Sequence, residues 1–111
     1  MARTEIEHFV YREEYAYYLV ARFQFVDNEV QVDVLRCPDD DHAPKETVRV
    51  VFPSAVIESI EEEPEETDTW PVEIMHFVDY PDGDRRRFVL QCGDFEWCWR
   101  SDWPTLQTLR P

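Results

Sequence analysis

The chain has 111 residues, close to the commonest domain size, and 43% of them are apolar. Asp and Glu number 25 against 11 Lys and Arg, a formal net charge of −14. That balance argues against direct binding to nucleic acid or to an anionic membrane surface, since both would repel it and no basic stripe compensates. No apolar run approaches the roughly 20 residues needed to span a bilayer.

One domain over residues 1–111 is expected, burying roughly 65% of the surface that the unfolded chain exposes. The opening residues, Met1 to His8, carry no apolar leader segment, which predicts a cytoplasmic protein. Three cysteines without a C-x-x-C spacing predict reduced thiols, no zinc site and no disulfide framework. Lys45 is the sole lysine among the basic residues. Such an Arg bias fits a GC-rich genome or a salty cytoplasm, so the acidity reads either as a solubility trait or as recognition of a basic partner.

In chain order, the first strand signal runs from Ala21 to Val34, where Phe23, Phe25, Val30, Val32 and Val34 alternate with polar neighbours. A two-residue turn at Asp27-Asn28 would set Phe25 against Val30, Phe23 against Val32 and Ala21 against Val34. Cys37 to Lys45 reads as a loop, with Asp39-Asp40-Asp41-His42 a solvated acidic cluster lacking calcium-loop spacing. Val48, Val50 and Phe52 resume the strand period. Ser54 to Glu62 fits a strand better than a helix, because Glu61 to Glu63 would oppose a helix dipole at its C-terminus. Glu61 to Asp68 holds six acids and one proline in eight positions and should be extended and mobile.

From Val72 to Asp102 a three-stranded meander is expected. Pro81-Asp82-Gly83 predicts a three-residue turn that sets Tyr80 against Asp84, and Gly93-Asp94 predicts a two-residue turn. Those registers make one core face with the rows Ile74–Leu90–Trp97 and His76–Phe88–Trp99. The other face then carries Met75–Val89–Cys98, Phe77–Arg87–Arg100 and Glu73–Gln91–Glu96. Cys92 and Cys98 fall on opposite faces and should not bridge. Ser101-Asp102-Trp103-Pro104 has the pattern of a helix start, with Leu106 and Leu109 facing inward.

The fold expected is therefore mostly β: a single antiparallel sandwich or strongly bent sheet of six to eight strands, with one short C-terminal helix. No phosphate-cradling glycine loop, serine elbow or dinucleotide fingerprint is present, so no catalytic residue, cofactor or metal is assigned. The face bearing Met75, Phe77, Arg87, Glu96 and Arg100 is the candidate binding surface, since interfaces favour Arg and aromatic residues. In size, acidity and β-richness the chain resembles bacterial immunity proteins that neutralise toxins, a likeness of bulk properties rather than of motifs. The function expected is a non-enzymatic acidic domain that binds a basic protein, as an inhibitor, an immunity-type protein or an adaptor. The alternative is a small enzyme or ligand-binding barrel with a pocket among His76, Trp97 and Trp99.

Overall fold

The computed structural model describes residues 4–12, 14–38, 45–62, 71–93 and 95–110. Among the described residues one short helix, α1 (Glu5–Val10), precedes nine strands. These are β1 (Tyr17–Val26), β2 (Glu29–Cys37), β3 (Glu46–Phe52), β4 (Val56–Glu62), β5 (Val72–Glu73), β6 (His76–Asp82), β7 (Arg85–Cys92), β8 (Phe95–Ser101) and β9 (Thr105–Arg110). They form two antiparallel sheets, ordered β5-β1-β2-β3-β9 and β4-β8-β7-β6. The mostly-β sandwich is as the period-2 patterning requires, with more strands than expected and the helix at the opposite end of the chain.

The first hairpin follows the sequence pattern. Asp27 and Asn28 take positive φ values of 54° and 61°, the backbone of a tight two-residue turn. Phe25 faces Val30 and Phe23 faces Val32. A bulge between Val20 and Arg22 then shifts the pairing, so Val20 rather than Ala21 faces Val34. The bulge keeps the larger apolar side chain on the buried side.

The second hairpin corrects the expected register. Gly83, at φ +65°, and Asp84 make the turn, so Asp82 faces Arg85 and every later pair moves by three positions. An odd slip exchanges the two faces of a strand. Phe77, not Ile74, lies opposite Leu90, and Asp79, not His76, lies opposite Phe88. Pro81 does not end the strand because β6 is a sheet edge, where its missing N–H leaves no ladder bond unmade. The gain is burial of Phe77, which the expected register would leave on the outer face, worth roughly 1.5–3 kcal/mol for a full-sized apolar side chain. The third hairpin matches expectation, with Leu90 opposite Trp97 and Phe88 opposite Trp99.

Inward-facing residues of both sheets build one core. Phe23 of the first sheet stacks on Trp97 of the second at 4.3 Å between ring centroids. Phe52 meets Phe88 at 4.8 Å and Trp99 at 4.9 Å, both edge-on. Trp97, Trp99, Phe52, Phe77 and Phe88 are fully buried. Ser54 to Glu62 is strand from Val56 onward, as expected, and pairs with β8. The rest of the acidic stretch, beyond Glu62, lies outside the described residues, as does the cluster from Asp39 to His42.

The expected C-terminal helix is instead β9. Leu106 does face inward, opposite Val50, but the segment gains backbone partners along β3, which would otherwise be a bare edge. A helix of six residues could not offer as many bonds. Helix α1 lies at the other end, where Thr4 and Glu7 form a reciprocal capping box at 3.2 and 2.9 Å. It is fastened to β6: the Thr4 hydroxyl donates to the Phe77 carbonyl at 2.9 Å, and the Ile6 N–H donates to Asp79 Oδ1 at 3.0 Å. At its C-terminus the buried Arg36 donates to the Val10 carbonyl from Nε and Nη2, at 3.1 and 2.6 Å. Among the described residues, no helix is long and apolar enough to cross a membrane.

Candidate functional site

The outer face of the four-stranded sheet follows from the strand registers. Its rows are His76–Gln91–Glu96, Val78–Val89–Cys98 and Tyr80–Arg87–Arg100, continued on β4 by Glu61, Ser59 and Val56 respectively. Arg87 and Arg100 are direct cross-strand partners, as the sequence implied. A like-charge pair of this kind is unfavourable unless acids sit close by.

The acids that do so are Glu58 and Asp82. A bulge between Ile57 and Ser59 releases Glu58 from the ladder, and its Oε1 lies 3.2 Å from Arg87 Nε. Asp82 ends β6, and its Oδ2 lies 3.3 Å from Arg100 Nη1. Arg87 Nε also points at the Cys98 sulfur, 3.4 Å away. The Arg87 pKa is held above its ordinary value, first by that hydrogen bond and further by its electrostatic interaction with Cys98 and with the Glu58 carboxylate. Arg100 Nε is buried and has no acceptor among the described residues. Together Glu58, Tyr80, Pro81, Asp82, Arg87 and Arg100 line an open groove of about 420 Å³.

Not all the candidate residues share this site. Arg87 and Arg100 do. Glu96 lies on the same face but in register with Gln91 and Glu61, so it does not neutralise the arginines. Met75 is 59% exposed and precedes β6, held by its N–H to the Gln91 carbonyl at 2.8 Å. Phe77 is fully buried on the opposite face, and Tyr80 takes its expected place beside Arg87. Glu58, Tyr80 and Asp82 were missed. The Gly83-Asp84 turn was the signal for the last two, whereas an unpaired bulge leaves no mark for Glu58.

The same slip removes the other candidate pocket. His76 is exposed on the outer face, while Trp97 and Trp99 are fully buried on the inner one, so no cavity can open among the three. Cys92 faces inward beside Phe95, and Cys98 faces outward under Arg87. Cys37, Cys92 and Cys98 are all buried, and none of them is in a disulfide. Burial alone pushes the Cys92 thiol up to about 12. Among the described residues, no three His, Cys, Asp or Glu side chains gather as a metal site would need. Comparison with protein-family models, with curated proteins and with solved structures finds no match.

Proposed function

We propose that this chain is a non-enzymatic protein-binding domain that docks a basic partner on the outer face of the β4-β8-β7-β6 sheet. The observation that carries this reading is the groove itself: it is open, ionic and laid across a sheet face. Enclosed apolar clefts with a few convergent polar groups are what small-molecule chemistry favours. Arginine beside exposed tyrosine is what protein interfaces favour. Tyr80, next to the arginine pair, is 52% exposed.

The net charge of −14 supplies the second half of the reading. It produces a field that a basic surface feels before contact, and salt screens that field over about 10 Å at 0.1 M. An inhibitor, an immunity-type protein or an adaptor would each use such steering. Three cysteines without a disulfide among them fit a reducing, cytoplasmic setting.

The test begins with capture of partners from native lysate at low salt, followed by binding kinetics on the purified pair. Raising ionic strength should slow association steeply while changing dissociation little. Arg87→Ala with Arg100→Ala should instead speed dissociation. An association rate indifferent to salt would reduce the acidity to a solubility trait and remove the basic partner from the reading.

A further inference from the structure

We propose that the free edge of strand β4 takes an extended segment of the basic partner as an added strand, with apolar side chains of that segment over Ile60 and its Lys or Arg side chains on the outer face. This deepens the reading of the four-stranded sheet as the docking surface and rests on it. β4 ends the β4-β8-β7-β6 order, and among the described residues no backbone group bonds to it from the far side. Alternate N–H and C=O groups of such a strand point outward, ready to pair with another chain.

The side chains specify what the added strand must carry. Ile60 is level with the buried Trp97 and so stands on the core side of the sheet, yet it is 48% exposed. A neighbouring strand is what would cover it. On the outer face the last row reads Gln91–Glu96–Glu61, two acids in direct register, and Glu96 makes no ion pair among the described residues. Like charges set opposite each other are unfavourable, and a cation on the next strand would relieve them. Three of the seven β4 residues are acids and none is basic. The occupant is therefore an extended segment in which apolar and basic residues alternate, at the period a strand requires.

The other sheet edges do not offer this. On β6 the Phe77 carbonyl is taken by the Thr4 hydroxyl, and Pro81 has no N–H to give. β5 has two residues, residues 21–26 of β1 beyond it carry no acid, and β9 carries none either. On β4 the bulge between Ile57 and Ser59 leaves a regular ladder over residues 59–62, so the contact is short and selected by sign. A second copy would bring the same acids and another −14, so the edge that accepts a basic strand refuses its own.

The probe is a capped heptapeptide of alternating valine and lysine, titrated into the ¹⁵N-labelled protein at low salt. Backbone amide signals of residues 56–62 should shift along one saturating curve and exchange hydrogen more slowly, while those of β9 stay still. Two control peptides should bind several-fold more weakly: one of the same composition with valines and lysines in separate blocks, and the alternating one methylated at its backbone nitrogens. Ile60→Lys, a change at a half-exposed position that the fold tolerates, should weaken the alternating peptide to the same extent. Equal binding of either control would leave charge attraction alone and overturn the proposal. Absence of saturation, or shifts confined to β7, would overturn it too. No partner is present in this titration, so its failure with a lysate partner still held removes only the added strand. Failure to retain any partner removes the docking reading.

Discussion

Arg49 on the five-stranded sheet and the Arg87–Arg100 pair on the four-stranded sheet both stand on outer faces, and they are held in opposite ways. Arg49 lies opposite Asp33 and gives Nε and Nη2 to its two oxygens, at 2.7 and 3.0 Å. That is a matched fork, and the pKa of Arg49 is raised chiefly by it. Arg87 and Arg100 face each other, each held by one acid at 3.2–3.3 Å, with a donor left over. The first arrangement consumes its charges and serves the fold. The second leaves them available, which is what a recognition surface requires.

Both faces rest on one core, so the largest expected effect comes from striking it. Trp97→Ala should destabilise the protein by about 3–5 kcal/mol, the usual loss for a buried aromatic residue. Leu90, Ile60 and Phe77 share its row across the four-stranded sheet, and Phe23 stacks on it from the other sheet. Urea unfolding measures the loss. A change under about 1 kcal/mol would belong to a surface position and would break the account of a shared core.

Next in size is Arg49→Ala, expected to cost about 1.5–3 kcal/mol, the range for hydrogen bonds to charged groups. Asp33 is only 8% exposed, so its carboxylate would lose its partner without regaining full hydration. A double-mutant cycle with Asp33→Asn separates the pair from the packing of the arginine stem. A coupling near zero would place Arg49 in the same class as Arg100 and erase the contrast between the two sheets.

These contrasts were only half legible in the sequence. Asp27-Asn28 and Gly93-Asp94 each admit one tight turn, and both hairpins fell in the expected register around them. Pro81-Asp82-Gly83-Asp84 admits two overlapping turns whose pairing registers differ by three residues, and the choice is made by tertiary packing of Phe77 against Phe52 and Trp99. That one ambiguity moved Phe77 inward, His76 outward, and Tyr80 and Asp82 into the groove. Thr4-Glu5-Ile6-Glu7 carried a readable capping box, but six helical residues hold only through long-range contacts with β6 and Arg36. A spacing of three sets Leu106 and Leu109 on one face of a helix but on opposite faces of a strand, and Leu109, expected to face inward, is 41% exposed; the strand prevails because β3 would otherwise be a bare edge. The Arg87–Arg100 opposition was legible because it depends on the unambiguous Gly93-Asp94 turn alone.

A smaller effect distinguishes the inner face by pH. Burial raises the Cys92 thiol from 9.0 to about 12, so the folded state keeps a proton that the unfolded state releases earlier. Its contribution to stability is complete below about pH 9.0 and is lost as pH climbs toward about 12. Urea midpoints from about pH 8 to about pH 10 should therefore fall less in Cys92→Ala than in the parent. Tyr15 is also raised above 10.0, by desolvation first and by Glu46 second, and it titrates in an overlapping window. Tyr15→Phe should remove the slope that Cys92→Ala leaves. A parent slope unchanged by either substitution would show that neither group carries it.

The smallest effect is the one that defines the groove. Arg100→Ala should change stability by no more than about 0.5 kcal/mol, as for a surface substitution free of structural duty. Its bond to Asp82 joins two half-exposed side chains, and such pairs contribute between roughly 0 and 1 kcal/mol. Against that small loss stand two reliefs: Arg87 loses a like-charged neighbour, and a buried Nε without an acceptor disappears. The two sides nearly cancel, and the sign at low salt should favour the variant, because screening weakens the repulsion that it removes. Unfolding at low and at high ionic strength therefore tests more than a single midpoint. A loss above about 1 kcal/mol at both would mean that the guanidinium holds the sheet together as Arg49 does. Near-neutral stability combined with faster release of a partner would assign Arg100 to recognition.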